Sequence, residues 1–362
     1  MVNFLDFSRT SDEPTRLRRF VATMFAAPAV PRVAVSETAS AQLLEGADAQ
    51  DDCAVFRLDG SQELVVGSDY VRGPKFRMYE FGLLNEYDLG YYLVAANVSD
   101  VAAMGARPIG LLSVVRYPPD MTDDVFASVL RGIRDACVHF DTPNVGGDIG
   151  SAERLILSGT ALGVCKPGHT LLRRGARPGD RLCMTGSTGL AGAAMEYFRF
   201  GKRNTEIDQR YNEILLSAWK QPHARVREGI ALGASGLASS CQDTSDGLKA
   251  AIDAIAAASD VGFTINEVDV PLAEPVLAVA DHIGKRPLSI VMGDSVDFEL
   301  VFTVSEQNLS CLRSFFAEHD LNFCEIGVAT AHKSIVMRRR DGSLQDLPGE
   351  AWRHRPDQEA NS

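Results

Sequence analysis

Residues 87–108 read YDLGYYLVAANVSDVAAMGARP. Apolar and small side chains run through Met104, Gly105 offers the left-handed stop of a helix C-terminus, and Pro108 cannot extend one. The segment is a helix, and it carries a carboxylate, Asp100, near its end. Its flanks have the shorter rhythm of strands: QDDCAVFRL (50–58) and QELVVGSDY (62–70) before it, PIGLLSVVRYP (108–118) after it. Next come an amphipathic helix over 122–140, a glycine turn NVGGDIG (144–150) and a strand RLILSGTALGVC (154–165). Helices and strands are mixed rather than segregated or strictly alternating, so the unit is α+β.

A second α+β unit opens with LLRRGARPGDRLCMTGSTGLAGAAMEYF (171–198), which gives a basic loop, a strand, a glycine turn and a helix. A polar insertion follows at 201–210, then CQDTSDGLKAAIDAIAAAS (241–259), strands GFTINEV (262–268) and LSIVM (288–292), GDSVDFELVFTV (293–304), and a closing helix and strand pair. The boundaries expected are 1–165, 166–352 and a polar tail at 353–362, with a helix at 15–28 ahead of the first strand. At 362 residues the chain has room for two cores.

A formal charge of −12 and a pI near 5.1 argue against nucleic acid, whose phosphates are met by Lys and Arg. The N-terminus has no basic start followed by an apolar run, and no apolar run approaches membrane-spanning length, so the expected compartment is the cytoplasm, with no membrane partner. Seven cysteines form no CxxC pair, and the seven histidines form no HExxH or HxH, so neither disulfides nor zinc are expected.

Carboxylates recur instead where apolar segments end: Asp51 and Asp52, Asp69, Asp100, Asp148, then Asp243 and Asp246. One capping residue would open the helix after Gly247, whereas two aspartates around a hydroxyl exceed that need. Crowding disfavours the ionisation of carboxylates unless a cation compensates. Hard oxygen donors without histidine suit Mg²⁺, which keeps water and takes substrate phosphates as ligands. TGSTGLAG (185–192) is neither a P-loop nor GxGxxG, and close backbone packing is its simpler meaning. The arginines of LLRRGARPGD could meet phosphate or solvent.

The order of QDDCAVFRL, GSDYVRG, DLGYYLVAANVSDVAAMGARP, NVGGD, LLRRGARPGD and DTSDGL resembles thiamine-monophosphate kinases over about residues 50–352. That family is grouped with aminoimidazole ribonucleotide synthase, selenophosphate synthetase and a hydrogenase maturation dehydratase, all users of ATP. The resemblance implies a two-domain α+β fold, a homodimer built on the N-terminal sheets, and ATP between the domains, with the N-terminal domain carrying ATP and metal and the C-terminal domain completing the site. It implies metal-binding roles for Asp51, Asp52, Ser68, Asp69, Asp100, Asp148, Asp243 and Asp246, and nucleotide contacts for Gly147, Asp148, Arg173 and Ser245. Asp243 and Asp246 are the expected catalytic pair. Phosphoryl transfer asks for positioning and charge neutralisation rather than covalent chemistry, which Mg²⁺ on carboxylates supplies.

The acceptor side departs from the family. Lys75 stands where the family has a substrate-contacting His, and Val296 where GGEDYEL has its Glu, while Trp352 matches the C-terminal aromatic. The expected activity is therefore transfer of the ATP γ-phosphate to a small acceptor, thiamine monophosphate or, favoured, a divergent one. The alternative is an ATP-activated cyclo-ligase or dehydratase of the same superfamily.

Overall fold

A computed structural model describes residues 41–46, 51–58, 60–71, 77–200, 207–293 and 295–349. The expected N-terminal helix at 15–28, Gln50, Lys75, Trp352 and the tail lie outside these residues. The first sheet joins β1 (Ala41–Glu45), β2 (Ala54–Leu58), β3 (Gln62–Val71), β4 (Arg107–Tyr117), β5 (Asn144–Ser151) and β6 (Ile156–Cys165) in the order β1-β2-β3-β6-β4-β5. Every neighbouring pair is antiparallel except β4 with β5. The segment 144–150, expected as a turn, is thus an edge strand. Gly146 and Gly147 take φ of 151° and 146°, and a Cβ on Gly147 would fall 1.7 Å from Ser113 O, so these glycines let β5 lie against β4.

Between β3 and β4 the chain forms a short helix α1 (Arg77–Glu80) and the long helix α2 (Glu86–Ala103). Asn85 and Asp88 start α2 reciprocally, Asp88 N–H donating to Asn85 Oδ1 at 3.1 Å and Asn85 N–H to Asp88 Oδ2 at 2.9 Å. Gly105, at φ 71°, follows its end. Fifteen of its eighteen residues are buried, which explains a sequence apolar on every side: α2 is a central rod, not a surface helix. It lies against β3, β4 and β6, against α3 (Asp123–His139), and against the second half of the chain. A Cβ on Gly132 of α3 would stand 2.0 Å from Tyr87 O, and one on Gly90 of α2 would stand 2.3 Å from Val129 O, so backbone meets backbone there.

The second sheet has seven strands in the order β13-β12-β9-β11-β7-β10-β8: β7 (Arg181–Met184), β8 (Ala238–Asp243), β9 (Gly262–Asn266), β10 (Leu300–Val304), β11 (Cys324–Thr330), β12 (Ile335–Arg338) and β13 (Leu344–Asp346). Among the described residues its helices are α4 (Leu190–Phe200), α5 (Gln209–Lys220), α6 (Val226–Ser235), α7 (Leu248–Ser259), α8 (Glu274–Ile283), α9 (Pro287–Val291) and α10 (Leu309–Glu318). The expected strand 288–292 is the helix α9, which Pro287 opens at its first position. α6 presses on α2, where a Cβ on Gly229 would lie 2.3 Å from Ala102 O. That contact joins the two halves at the last turn of α2, next to Asp100.

Candidate functional site

Three elements from distant parts of the sequence deliver carboxylates to one point. Asp52 lies in the turn entering β2, Asp100 in the last turn of α2, and Asp243 at the end of β8. One oxygen from each lies within 4.8 Å of the others, the one such acidic group among the described residues. β3 closes over this turn through Gly67, where a Cβ would sit 2.6 Å from Cys53 Sγ.

The charges are only partly compensated. Arg173 Nη2 donates to Asp52 Oδ1 at 2.6 Å, and Arg173 N–H donates to Asp51 Oδ1 at 2.8 Å. Asp243 accepts from Ser99 Oγ at 2.5 Å and from Ser245 Oγ at 2.7 Å. Burial pushes the Asp52 carboxyl up to about 7 despite Arg173, with Asp243 and Asp51 adding to the rise. Burial lifts Asp100 well above the usual carboxylate range, and Asp243, Asp52 and Asp69 raise it further. Asp51 is raised as well, chiefly by burial. Asp52 Oδ2 is buried without a hydrogen-bond partner. A carboxylate with one orphaned buried oxygen, grouped with two further carboxylates, is a donor set that a hard divalent cation would complete.

The other expected residues stand at graded distances from this centre. Asp69, on β3, is near enough to act on Asp100, and its backbone N–H donates to Asn97 Oδ1 of α2. Ser68 alternates to the opposite face of the sheet, its hydroxyl donating to Gly159 O at 2.6 Å. Asp246 is exposed in the turn that follows Asp243, and Asp51 is half-buried beside Asp52; both lie outside the three-carboxylate group. Gly147 and Asp148 lie on β5, three strands across the sheet from β3, with Asp148 ion-paired to Arg116. Val296 is half-buried against the larger apolar core. Lys75 and Trp352 lie outside the described residues.

The glycine turn 185–192 is not a phosphate cradle. Asp297 already fills it, accepting from Gly189 N–H at 2.6 Å, Ala191 N–H at 3.0 Å and Thr188 Oγ1 at 2.8 Å, so the N-terminus of α4 has an internal anion. The packing at Gly186 is against side chains rather than backbone: a Cβ there would lie 2.4 Å from Arg225 Nη2 and 2.6 Å from Glu299 Oε1. Sequence reasoning passed over Ser99 and Asn97, although both stand in NVSD; Asn97 lies three positions before a suspected ligand on a helix and Ser99 directly beside it, and that is the signal that could have found them.

Comparison with known proteins agrees with this layout. Residues 50–165 match the family model for the AIR synthase related protein N-terminal domain, and residues 177–339 that for its C-terminal domain. Thiamine-monophosphate kinase of Pyrococcus abyssi (strain GE5 / Orsay) is 30% identical over 305 residues, 84% of this chain and 89% of the relative. The enzyme of that name from Escherichia coli (strain K12) is 30% identical over 306 residues, 84% of this chain and 90% of the relative. Among solved structures, AaThiL complexed with AMPPCP and TMP superposes with a TM-score of 0.76 at 21% identity, covering 96% of this chain and 100% of that one. Thiamine-monophosphate kinase from Stenotrophomonas maltophilia K279a gives 0.69 at 27% identity, covering 83% and 92%. With both domain models matched in order and near-full-length relatives at this identity, the chain belongs to the thiamine-monophosphate kinase family of AIR synthase related proteins.

Proposed function

We propose that this chain is an ATP-dependent phosphotransferase that moves the γ-phosphate of Mg²⁺-bound ATP to a small acceptor. The observation that carries the reading is the convergence of Asp52, Asp100 and Asp243, with one buried carboxylate oxygen unpartnered, in a family whose members are kinases. These three residues would hold the metal, with Asp51, Asp69 and Asp246 bordering it; when bound, Mg²⁺ neutralises the triphosphate and holds it for in-line attack. Arg173, already reaching into the cluster, is placed to meet a phosphate oxygen, and Ser245 to hold Asp243 in place. Ser68, Asp148 and Gly147 are part of the same proposal on the family pattern, Asp148 and Gly147 being set farther out on β5. No covalent intermediate is required.

The acceptor is inferred to differ from thiamine monophosphate. In the family pattern a Glu stands at position 296, and here a Val does. The nearest described carboxylates that could replace it are committed elsewhere: Asp297 caps α4, and Glu299 is 4% exposed and bound by Arg225 and Thr185. Among the described residues of this segment a cationic thiazolium would find no uncommitted carboxylate, Asp294 lying outside them, and Lys75 would favour an anionic group instead. The test is ATP turnover with thiamine monophosphate and a panel of phosphorylated and unphosphorylated metabolites, products being identified by mass. A phosphorylated acceptor with ADP as co-product is the expected outcome; ADP with a cyclised or dehydrated product would overturn the kinase reading. A kcat/KM for thiamine monophosphate of about 10⁴ M⁻¹s⁻¹ or more, in the ordinary enzyme range, would overturn the inference about Val296 and Lys75.

The homodimer implied by the family pattern is part of the same proposal. The face of the first sheet turned away from α2 shows Tyr70, Leu112 and Ile156 to solvent, at 54%, 39% and 36% exposure. An apolar sheet face of this kind suits a second copy.

A further inference from the structure

Thr244 stands between Asp243, a member of the carboxylate group, and Ser245, which bonds to Asp243. It is fully buried, and its backbone N–H, carbonyl and hydroxyl oxygen are all engaged away from the three carboxylates. Its N–H donates to Glu299 O at 2.8 Å, its Oγ1 accepts from Glu299 N–H at 3.0 Å, and its carbonyl accepts from Gly247 N–H at 2.9 Å. The first two bonds form a two-point clamp on one residue of the neighbouring strand entrance. The third closes the turn that carries Ser245 and Asp246.

The other jaw of the clamp is fixed more firmly still. Glu299 Oε1 accepts from Arg225 Nη2 at 2.6 Å, Glu299 Oε2 from Arg225 Nε at 2.8 Å and from Thr185 Oγ1 at 2.5 Å. Thr185 Oγ1 in turn accepts from Leu300 N–H at 2.9 Å, and Leu300 pairs with Asp243 across β10 and β8. Phe298, immediately before Glu299, holds φ at 54°, a conformation a large side chain adopts only when its surroundings impose it, and its ring packs edge-on to Tyr92 of α2 at 5.4 Å between centroids. The peptide that grips Thr244 is thus anchored both to the second sheet and to the helix that carries Asp100.

We infer that Thr244 and Glu299 are positioning residues for the metal site: the clamp sets where the Asp243 carboxylate stands relative to Asp52 and Asp100, and so sets divalent-cation affinity without supplying a ligand. The inference rests on the metal-dependent reading given above. Carboxylates contributed by three separate elements have no shared backbone to hold their spacing, and a shift of a fraction of an ångström in one changes what cation they fit.

The experiment is Mn²⁺ binding to the full chain by calorimetry without nucleotide, for the wild type, Thr244→Val, Thr244→Ser and Glu299→Gln, with melting temperature recorded beside each. Thr244→Val keeps the shape and removes the acceptor for Glu299 N–H; Thr244→Ser keeps the acceptor. Expected is a Kd for Thr244→Val at least about tenfold weaker, rescue to within about threefold by Thr244→Ser, and a shift in the same direction for Glu299→Gln. A lowered melting temperature with unchanged Mn²⁺ affinity in the folded Thr244→Val protein would overturn the inference, since that is all a structural role would produce. Should that variant not fold, unchanged affinity in Glu299→Gln would overturn it equally. A wild-type chain that binds no Mn²⁺ would contradict the metal-dependent reading itself, and is distinguished from the other outcomes by being seen before any substitution.

Discussion

Asp52 shows how a single side chain records the site's chemistry. Its carboxyl is pushed up to about 7, first by burial and then by Asp243 and Asp51, with Arg173 opposing. Between the ordinary value of 3.8 and about 7, the folded metal-free protein holds a proton that the unfolded chain has released. Stability therefore falls as pH rises through that window, because the native state binds more protons than the unfolded one. Asp100, raised in the same sense, adds to the slope. Metal-free protein should accordingly melt at a lower temperature at pH 8 than at pH 6, Asp52→Asn should flatten the difference, and added Mg²⁺ should raise the melting temperature more at pH 8. A melting temperature that climbs from pH 6 to 8 without metal would contradict the charge balance described. The aspartates themselves were legible in the sequence because a carboxylate at the end of an apolar run is conspicuous. Which of them meet was not, since Asp52, Asp100 and Asp243 come together only when β2, α2 and β8 are packed. The parts of Thr244 and Glu299 were not legible for the same reason: they bond to each other across a long sequence separation.

At the scale of elements, α2 was the most legible part of the chain and its neighbours the least. Its caps and unbroken apolar run are local signals, and burial on all sides follows from them. β5 was read as a turn because Gly146, Gly147 and Gly150 look like loop chemistry, whereas they are what permits a strand at close approach to β4 and Arg116. LSIVM was read as a strand from its β-branched residues, but Pro287 starts a helical turn there and the apolar side chains are buried in it. The α2–α3 contact gives a sharp test. Gly132→Ala would place a Cβ 2.0 Å from Tyr87 O, with backbone rather than a flexible side chain in the way. The helices must separate, and a cost of about 1–3 kcal/mol is expected from overpacking of this kind. Urea unfolding should show the loss as a shifted midpoint; a midpoint within error of wild type would mean that α2 and α3 are not so closely apposed.

For the whole molecule, the two α+β units and their order could be read from the sequence, while their mutual placement required the contact of α6 with α2 and the hydrogen bond from Ser99 of α2 to Asp243 of β8. The solvent-facing apolar side chains on the first sheet lead to a further expectation: sedimentation at micromolar concentration should give a dimer, and Leu112→Lys should convert it to monomer while leaving the far-ultraviolet circular dichroism unchanged. A stable wild-type monomer would count against this. The central claim is that Asp52, Asp100 and Asp243 form the metal centre of a phosphotransferase. Its most direct measurement is the rate of phosphoryl transfer from ATP to the acceptor that the product screen identifies, at saturating Mg²⁺, for the wild type and Asp243→Asn, with folding verified for both. Removing one charge from the cluster at nearly constant volume should lower kcat by about 10³-fold or more, the loss of several kcal/mol of transition-state stabilisation. A folded Asp243→Asn protein that turns over within about threefold of wild type would show that the chemistry does not depend on this cluster.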